Sequence, residues 1–125
     1  MPVAARAAVE AAPVGTPSPG VADAGLEAAA ERLRALANPH RLAIVAALND
    51  QPRCVHELVD ALGVSQPLVS QHLRILRASH LVRAERRGRE IAYFLGDEHV
   101  FHIVHDAVVH ATERGRGAAP FEGNP

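Results

Sequence analysis

Residues 54–76 read CVHELVDALGVSQPLVSQHLRIL, and this stretch decides the fold. It predicts two helices, Cys54–Leu62 and Gln66–Ala78, separated by a short turn. Gly63 stands just after the first helix, where glycine commonly ends helices, and Ser65 is placed to cap the second. Apolar residues recur at helical spacing in both segments, so the helices can pack on each other. The residues predicted to be buried between them are Leu58, Leu62, Val64, Val69, Leu73 and Leu76. The pattern is typical of a helix-turn-helix.

The flanking sequence predicts helices on both sides of this motif and a β-hairpin directly after it. Asn38-Pro39 is a helix cap followed by proline at the first helical position. Arg86-Arg87-Gly88-Arg89 separates two short β-forming runs as a hairpin tip. The predicted elements are helices Leu26–Leu36 and Pro39–Leu48, strands Leu81–Glu85 and Glu90–Leu95, and a last helix Asp97–Arg114 capped by Asp97. The predicted class is mainly α with one β-hairpin, in the order of a winged helix-turn-helix.

Length and composition limit how many domains the chain can form and where they lie. With 125 residues it is long enough for one domain. We expect that domain over residues 25–114, after a disordered Ala/Pro/Gly-rich arm (1–24) and before a flexible tail (115–125). No apolar run is long enough to span a membrane, and no secretory signal is evident, so cytoplasm is the expected location. Cys54 is the single cysteine, which excludes an internal disulfide and a multi-thiolate zinc finger.

Positive charge is concentrated in the segment that contains the second motif helix and the hairpin. All thirteen basic residues are arginine, and residues 64–96 carry a net charge of +4 in a chain whose total is −1. Amide and hydroxyl groups suit base edges in DNA, and arginine suits guanine or phosphate. The candidate DNA-binding residues are Ser65, Gln66, Ser70, Gln71 and Arg74 of the second motif helix, and Arg86, Arg87 and Arg89 of the hairpin tip. The alternative is a plain helical hairpin with a solvated arginine-rich surface.

Two segments, LANPHRLAIVAAL (36–48) and CVHELVDALGVSQPLVSQHLRILRASHLVRAERRGREIAYFL (54–95), resemble the ArsR/SmtB family of bacterial winged-helix repressors. The resemblance covers Leu26–Glu113. It implies a homodimer that binds an inverted-repeat operator and contacts its partner through the first and last helices. The last helix has an apolar stripe for such contacts, formed by Val100, Val104, Ala107, Val108 and Ala111. The resemblance also implies that the metal-free dimer represses transcription and that metal lowers its DNA affinity.

The last helix matches the family's metal-site pattern of D-x-H, ten intervening residues and H-x-x-E. Asp97, His99, His110 and Glu113 occupy the four positions. His99 and His110 are about 16 Å apart along a helix axis, so one helix cannot hold the ion alone. Two antiparallel copies could, with two equal sites per dimer. Two nitrogen and two oxygen ligands suit tetrahedral Zn²⁺, with Co²⁺ or Ni²⁺ as alternatives.

Cys54 and Glu57 match a second metal-site position of the family, at the start of the third helix. Residues 1–39 contain no cysteine or histidine to complete such a site, so a buried, inert thiol is the expected state of Cys54. Other readings stay open: a regulator that senses Cys54 oxidation or another metal, or a DNA-binding dimer that metal only stabilises. An enzyme is not expected. HELVD resembles H-E-x-x-H, but Asp60 stands where the second histidine of a metallohydrolase is required.

Overall fold

The computed structural model describes residues 23–122, with side chains described as far as Glu113. The first turns of α1, through Glu31, belong to one compact unit, and residues from Arg32 onward belong to another. The elements are α1 Asp23–Leu36, α2 Pro39–Ala47, β1 Arg53–Cys54, α3 Val55–Leu62, α4 Gln66–Ala78, β2 Val82–Arg87, β3 Glu90–Leu95 and α5 Glu98–Glu122. This is the predicted order of helices, hairpin and last helix, with one additional short strand.

The helix-turn-helix forms where the local signals predicted it. Gly63 follows α3 in the left-handed conformation (φ 72°), which costs glycine little because it has no Cβ. The Ser65 hydroxyl accepts a hydrogen bond from the backbone N–H of Leu68 at 3.3 Å and caps α4. Asn38 caps α2 in the same way, accepting from the N–H of His40 at 2.8 Å. These helix starts are set by residues close in sequence, so sequence analysis found them.

The first and last helices have different bounds from those predicted. α1 begins at Asp23, inside the predicted arm, while residues 1–22 lie outside the described part of the chain. α5 continues to Glu122, whereas we predicted its end near Arg114 and a flexible tail from 115. Glycine inside a helix costs about 1 kcal/mol relative to alanine. Gly115 therefore weakens the helix without by itself ending it. Residues 123–125 of the predicted tail are not described.

The sheet has three antiparallel strands in the order β1-β3-β2. β1 was not predicted, because two residues carry no detectable periodicity; it exists by pairing with β3, where Cys54 lies opposite Ala92. As a result α3 begins at Val55 rather than Cys54. The predicted four-residue hairpin tip is also wrong. Arg87 pairs with Glu90 across the hairpin, so the turn is Gly88-Arg89, and Gly88 supplies the positive φ (65°) that a two-residue turn requires.

The core lies between α2, the two motif helices and α5. Four of the six residues predicted to be buried in the motif are at most 1% exposed, namely Leu58, Val69, Leu73 and Leu76, and Leu62 and Val64 are partly buried against them. The predicted apolar stripe of α5 needs correction. Val100 and Val104 are buried in the chain's own core, because α5 packs on α2 and β3. Among residues 98–113 of α5, the large apolar residues left exposed are Ile103, Val108 and Val109.

Candidate nucleic-acid interface and metal ligands

The polar residues predicted on α4 lie on the side of the helix opposite the core. Gln66, Gln71 and Arg74 are exposed and Ser70 is half-buried, whereas Val69, Leu73 and Leu76 on the other side are buried. Exposed Ser65 lies at the N-terminal end of the same face, where its oxygen accepts the capping hydrogen bond. Amide, hydroxyl and guanidinium groups therefore occupy one continuous surface of α4.

The hairpin carries a second group of exposed arginine side chains. Arg86, Arg87 and Arg89 are exposed. Arg87 Nη2 lies 3.1 Å from Glu85 Oε1, an ion pair that offsets part of its charge. Arg86 Nη1 donates to the backbone oxygen of Gly88 at 3.4 Å, within the turn. The arginines thus project from the turn and from the end of β2.

A groove between α4 and β3 contributes residues that sequence reasoning missed. It is lined by Ser70, Arg74, Arg77 and Tyr93, among others. Arg77 follows Arg74 by three residues and therefore lies on nearly the same side of the helix. Tyr93 reaches the groove from β3. Helical spacing could have identified Arg77, whereas the contribution of Tyr93 depends on how the hairpin packs beside α4.

His72 is a second residue that the sequence did not single out. It lies on α4 but is only 6% exposed, and its ring is 5.4 Å from the ring of His40 on α2. Arg41 Nη1 is 3.2 Å from His72 Nδ1, and Nε2 has no hydrogen-bond partner among the described residues. Burial, with smaller contributions from the charges of Arg41 and His40, lowers the pKa of His72. A neutral imidazole therefore lies at the contact between α4 and α2.

The four candidate metal ligands of α5 are exposed but not gathered within one chain. Asp97 Oδ1 accepts from the backbone N–H groups of His99 at 2.8 Å and Val100 at 3.3 Å, so Asp97 caps the helix as predicted. His110 and Glu113 lie three turns further along the same continuous helix. Within residues 23–113, the potential metal ligands that come close together are a different group.

That group consists of Cys54, His56 and Glu90, whose ligand atoms all lie within 4.8 Å of one another. Cys54 Sγ is 3.2 Å from His56 Nδ1, and the same nitrogen is 3.8 Å from Glu90 Oε2. Burial raises the pKa of the Cys54 thiol. Cys54 is buried as expected, and its neighbour Glu90 is one that the sequence did not pair with it.

Glu57, the predicted partner of Cys54, also caps the helix that follows it. Its Oε1 accepts a hydrogen bond from the backbone N–H of Cys54 at 3.0 Å, which caps α3. This backbone hydrogen bond is the main reason that the pKa of Glu57 is lowered. The Glu57 carboxylate thus caps α3 and also hydrogen-bonds the Cys54 thiol, which has the carboxylate of Glu90 as a second acidic neighbour.

The helix-turn-helix with a β-hairpin beside its second helix defines a winged helix-turn-helix protein. Residues 38–84 match the family described as "Bacterial regulatory protein, arsR family". The chain is 64% identical over 88 residues to the HTH-type transcriptional repressor SmtB of Mycobacterium tuberculosis, a match that covers 70% of this chain and 65% of that protein. It is 43% identical over 82 residues to the HTH-type transcriptional regulator NmtR of the same organism, covering 66% of this chain and 68% of the relative. This chain belongs to the ArsR/SmtB family of bacterial regulatory proteins.

Solved structures agree with this assignment. A homodimeric winged helix-turn-helix DNA-binding domain from Mycobacterium bovis aligns with a TM-score of 0.67 at 31% identity, covering 78% of this chain and 93% of that one. HlyU from Vibrio cholerae aligns with a TM-score of 0.64 at 31% identity, covering 73% and 97%. Within residues 23–122, no helix has both the length and the apolar character needed to cross a membrane.

Proposed function

We propose that the chain is a metal-responsive transcriptional repressor whose metal-free homodimer binds an inverted-repeat operator. The observation that carries the proposal is the continuous polar face of α4, together with the exposed arginines of the adjoining hairpin. A face of this composition offers base-reading groups at the centre and phosphate-binding groups at the edge. The M. tuberculosis relative named a repressor supports the direction of regulation.

In this proposal α4 enters the major groove. Gln66, Ser70 and Gln71 contact base edges, and Arg74 binds guanine or phosphate. The wing arginines Arg86, Arg87 and Arg89 bind the adjacent backbone or minor groove. Ser65 and the first N–H groups of α4 face a phosphate, since a helix N-terminus favours negative charge.

Operator binding by Arg74→Ala and Arg89→Ala tests these assignments. If both arginines bind phosphate, each variant should bind all DNA sequences more weakly, and each should lower the slope of log affinity against log salt by about one. If Arg74 reads guanine, its variant should instead lose about 1–3 kcal/mol of discrimination at one base pair. Unchanged affinity in both variants would contradict this DNA-binding surface.

The zinc site is proposed between two copies of α5. Asp97 and His99 of one protomer would face His110 and Glu113 of its partner, because the two pairs are too far apart on a single helix. Exposed Ile103, Val108 and Val109 supply apolar area for the contact between protomers. Bound zinc would tie the two helices together through two nitrogen and two oxygen ligands. Co²⁺ or Ni²⁺ would fit the same ligands with different affinity.

The start of α5 has a direct structural connection to the end of α4, which is the recognition helix in this proposal. The N–H of Gly96, just before α5, donates to the carbonyl oxygen of Leu81 at 2.9 Å. Leu81 lies immediately after the turn that ends α4. If zinc binding shifts Asp97 and His99, this hydrogen bond would therefore transmit the movement to the turn at the end of α4. We propose that zinc thereby favours a dimer in which the two recognition helices are wrongly spaced for the operator.

The experiment is operator binding by fluorescence anisotropy, with and without Zn²⁺, for the wild type, His110→Ala and His105→Ala. His105 is a matched control, since it is an exposed histidine of α5 outside the four-ligand set. Zinc should lower wild-type affinity about 5–150-fold, the usual range of allosteric coupling. His110→Ala should lose this response and His105→Ala should keep it.

Other outcomes would favour the alternatives. Zinc-insensitive DNA affinity together with zinc-stabilised dimers would indicate a metal that only supports the dimer. A response lost in Cys54→Ser but kept in His110→Ala would move the sensing to Cys54. Absence of any DNA binding by the metal-free dimer would refute the repressor proposal.

A further inference from the structure

The groove between α4 and β3 has one wall from the helix-turn-helix and one from the hairpin. Arg74 and Arg77 of α4 line one side and Tyr93 of β3 lines the other, around a volume of about 490 Å³. β3 is the central strand of the sheet, and Tyr93 pairs there with Arg53 of β1 and with Ala84 of β2. Strand pairing on both sides therefore holds Tyr93 in place beside α4.

The groove carries positive charge that no nearby carboxylate offsets. None of the residues that line it is acidic. Within residues 23–113, Arg74 and Arg77 have no ion pair, whereas Arg53 is paired with an aspartate and Arg87 with a glutamate. Two unpaired guanidinium groups on one wall give the groove a positive potential, which attracts anions.

The donors of the groove suit the oxygen atoms of a phosphate. A guanidinium group is a planar fork of N–H donors that can bind two phosphate oxygens at once. The Tyr93 hydroxyl is a donor from the opposite wall, and it makes no hydrogen bond to another residue in the part of the chain that the structure describes. An anion between the walls would thus meet a charged donor on one side and a neutral donor on the other.

We propose that this groove binds one phosphate of the DNA backbone, held by the Arg77 guanidinium and the Tyr93 hydroxyl. The inference rests on the proposed function and adds these two residues to the DNA-binding surface. The bound phosphate contacts the recognition helix and the hairpin of one protomer together. Such a contact carries no sequence information, but it fixes the orientation of α4 in the major groove.

Arg83 provides a matched control on the other face of the sheet. Arg83 pairs with Phe94, and the next pair is Ala84 with Tyr93; successive side chains of a strand point to opposite faces. The Arg83 guanidinium carbon lies 5.4 Å from the centre of the Phe94 ring, away from the groove. Arg83 and Arg77 are both exposed. The two arginines thus differ in the surface that they face and not in charge.

The first test measures the operator affinity of the full-length, metal-free protein over a range of salt concentrations. Arg77→Ala should lower the slope of log affinity against log salt by about 0.9 for each protomer bound, the value for one phosphate contact. Tyr93→Phe should weaken binding about 10-fold or more for each protomer, at an unchanged slope, because a neutral donor displaces no counterion. Arg83→Ala should keep the affinity and the slope of the wild type.

Operator DNA with single methylphosphonate links locates the contact, since each link removes the charge of one phosphate. Among the links that weaken wild-type binding, one in each half-site should have no effect on Arg77→Ala, because that variant has already lost the contact. Losses that add at every position would show that Arg77 binds no phosphate, and would overturn the inference.

The outcomes separate this inference from the repressor proposal. If the wild type does not bind DNA, both are overturned. If the wild type binds, but Arg77→Ala and Tyr93→Phe behave like Arg83→Ala, the groove inference alone is overturned. Lost discrimination at one base pair in Arg77→Ala, with an unchanged salt slope, would show that Arg77 reads a base and would overturn it as well. Far-UV circular dichroism of each variant checks that the fold is kept before binding is compared.

Discussion

Replacing His72 by leucine should make the free energy of unfolding less sensitive to acid. It should not weaken the packing of α4 on α2. His72 is buried, and its Nδ1 faces the Arg41 guanidinium, so Nδ1 accepts and the proton lies on Nε2. Nε2 has no partner among the described residues, and an unpaired buried donor costs about 1–3 kcal/mol. Leucine removes that donor. Arg41 retains its hydrogen bond from Nε to the carbonyl oxygen of Ala35. We therefore expect His72→Leu to be as stable as the wild type at pH 7.5, or more stable by up to about 2 kcal/mol.

The dependence on pH follows from the lowered pKa of His72. The unfolded chain, in which a histidine pKa is about 6.5, binds the proton more readily than the folded chain. The contribution of neutral His72 to the free energy of unfolding is therefore fully present above about pH 6.5. It is lost as the pH falls below that value. Between pH 7.5 and 5.5 this one group can remove at most about 1.4 kcal/mol. His72→Leu should lack that loss, and His105→Leu, which changes an exposed histidine, should retain it.

The assay is urea denaturation followed by far-UV circular dichroism at the two pH values. Protomer concentration is held constant and a chelator is present, because dimerisation and metal binding both shift apparent stability. A His72→Leu variant that is more than about 2 kcal/mol less stable than the wild type at pH 7.5 would refute the claim that His72 carries a costly unpaired donor. A variant whose stability has the same pH dependence as that of the wild type would refute the claim that His72 causes the acid sensitivity.

Three further changes test the packing that positions the candidate surfaces. Gly96→Ala should destabilise the fold by about 1–3 kcal/mol, because a Cβ at this position would lie 2.6 Å from the carbonyl oxygen of His80. Gly25→Ala, whose Cβ meets nothing within 4 Å, is its control, and equal losses in urea midpoint for the two would contradict the contact. His80→Gly should raise the melting temperature by relieving about 1 kcal/mol of backbone strain, since His80 has φ 61°; a lower melting temperature would show that its side chain is needed. Leu58→Ala should cost about 2–5 kcal/mol in urea denaturation, because Leu58 is fully buried between α3 and α4, and a loss under about 1 kcal/mol would mean that this contact does not hold the motif together.

Some of the candidate metal ligands could be identified from the sequence and others could not. Asp97, His99, His110 and Glu113 were identified by their match to the family's metal-site pattern, and their joint role stays a prediction because it requires a second chain. Cys54 was identified by its position at the start of α3, and its pairing with Glu57 in a metal site stays a prediction; in the structure the Glu57 carboxylate also accepts a hydrogen bond from the backbone N–H of Cys54. Glu90 was not considered, because it lies 36 positions after Cys54 in the sequence.

The sequence by itself determined the helix-turn-helix, its caps and the polar face of α4. Those features depend on interactions within a few residues: a serine oxygen and a nearby N–H, a glycine in a left-handed turn, and apolar side chains three or four positions apart. Only the tertiary structure decided the pairing of β1 with β3, the burial of His72 and the use of Val100 and Val104 in the chain's own core. Each depends on a surface contributed by a distant segment, and short-range patterns hold no information about which segment that will be.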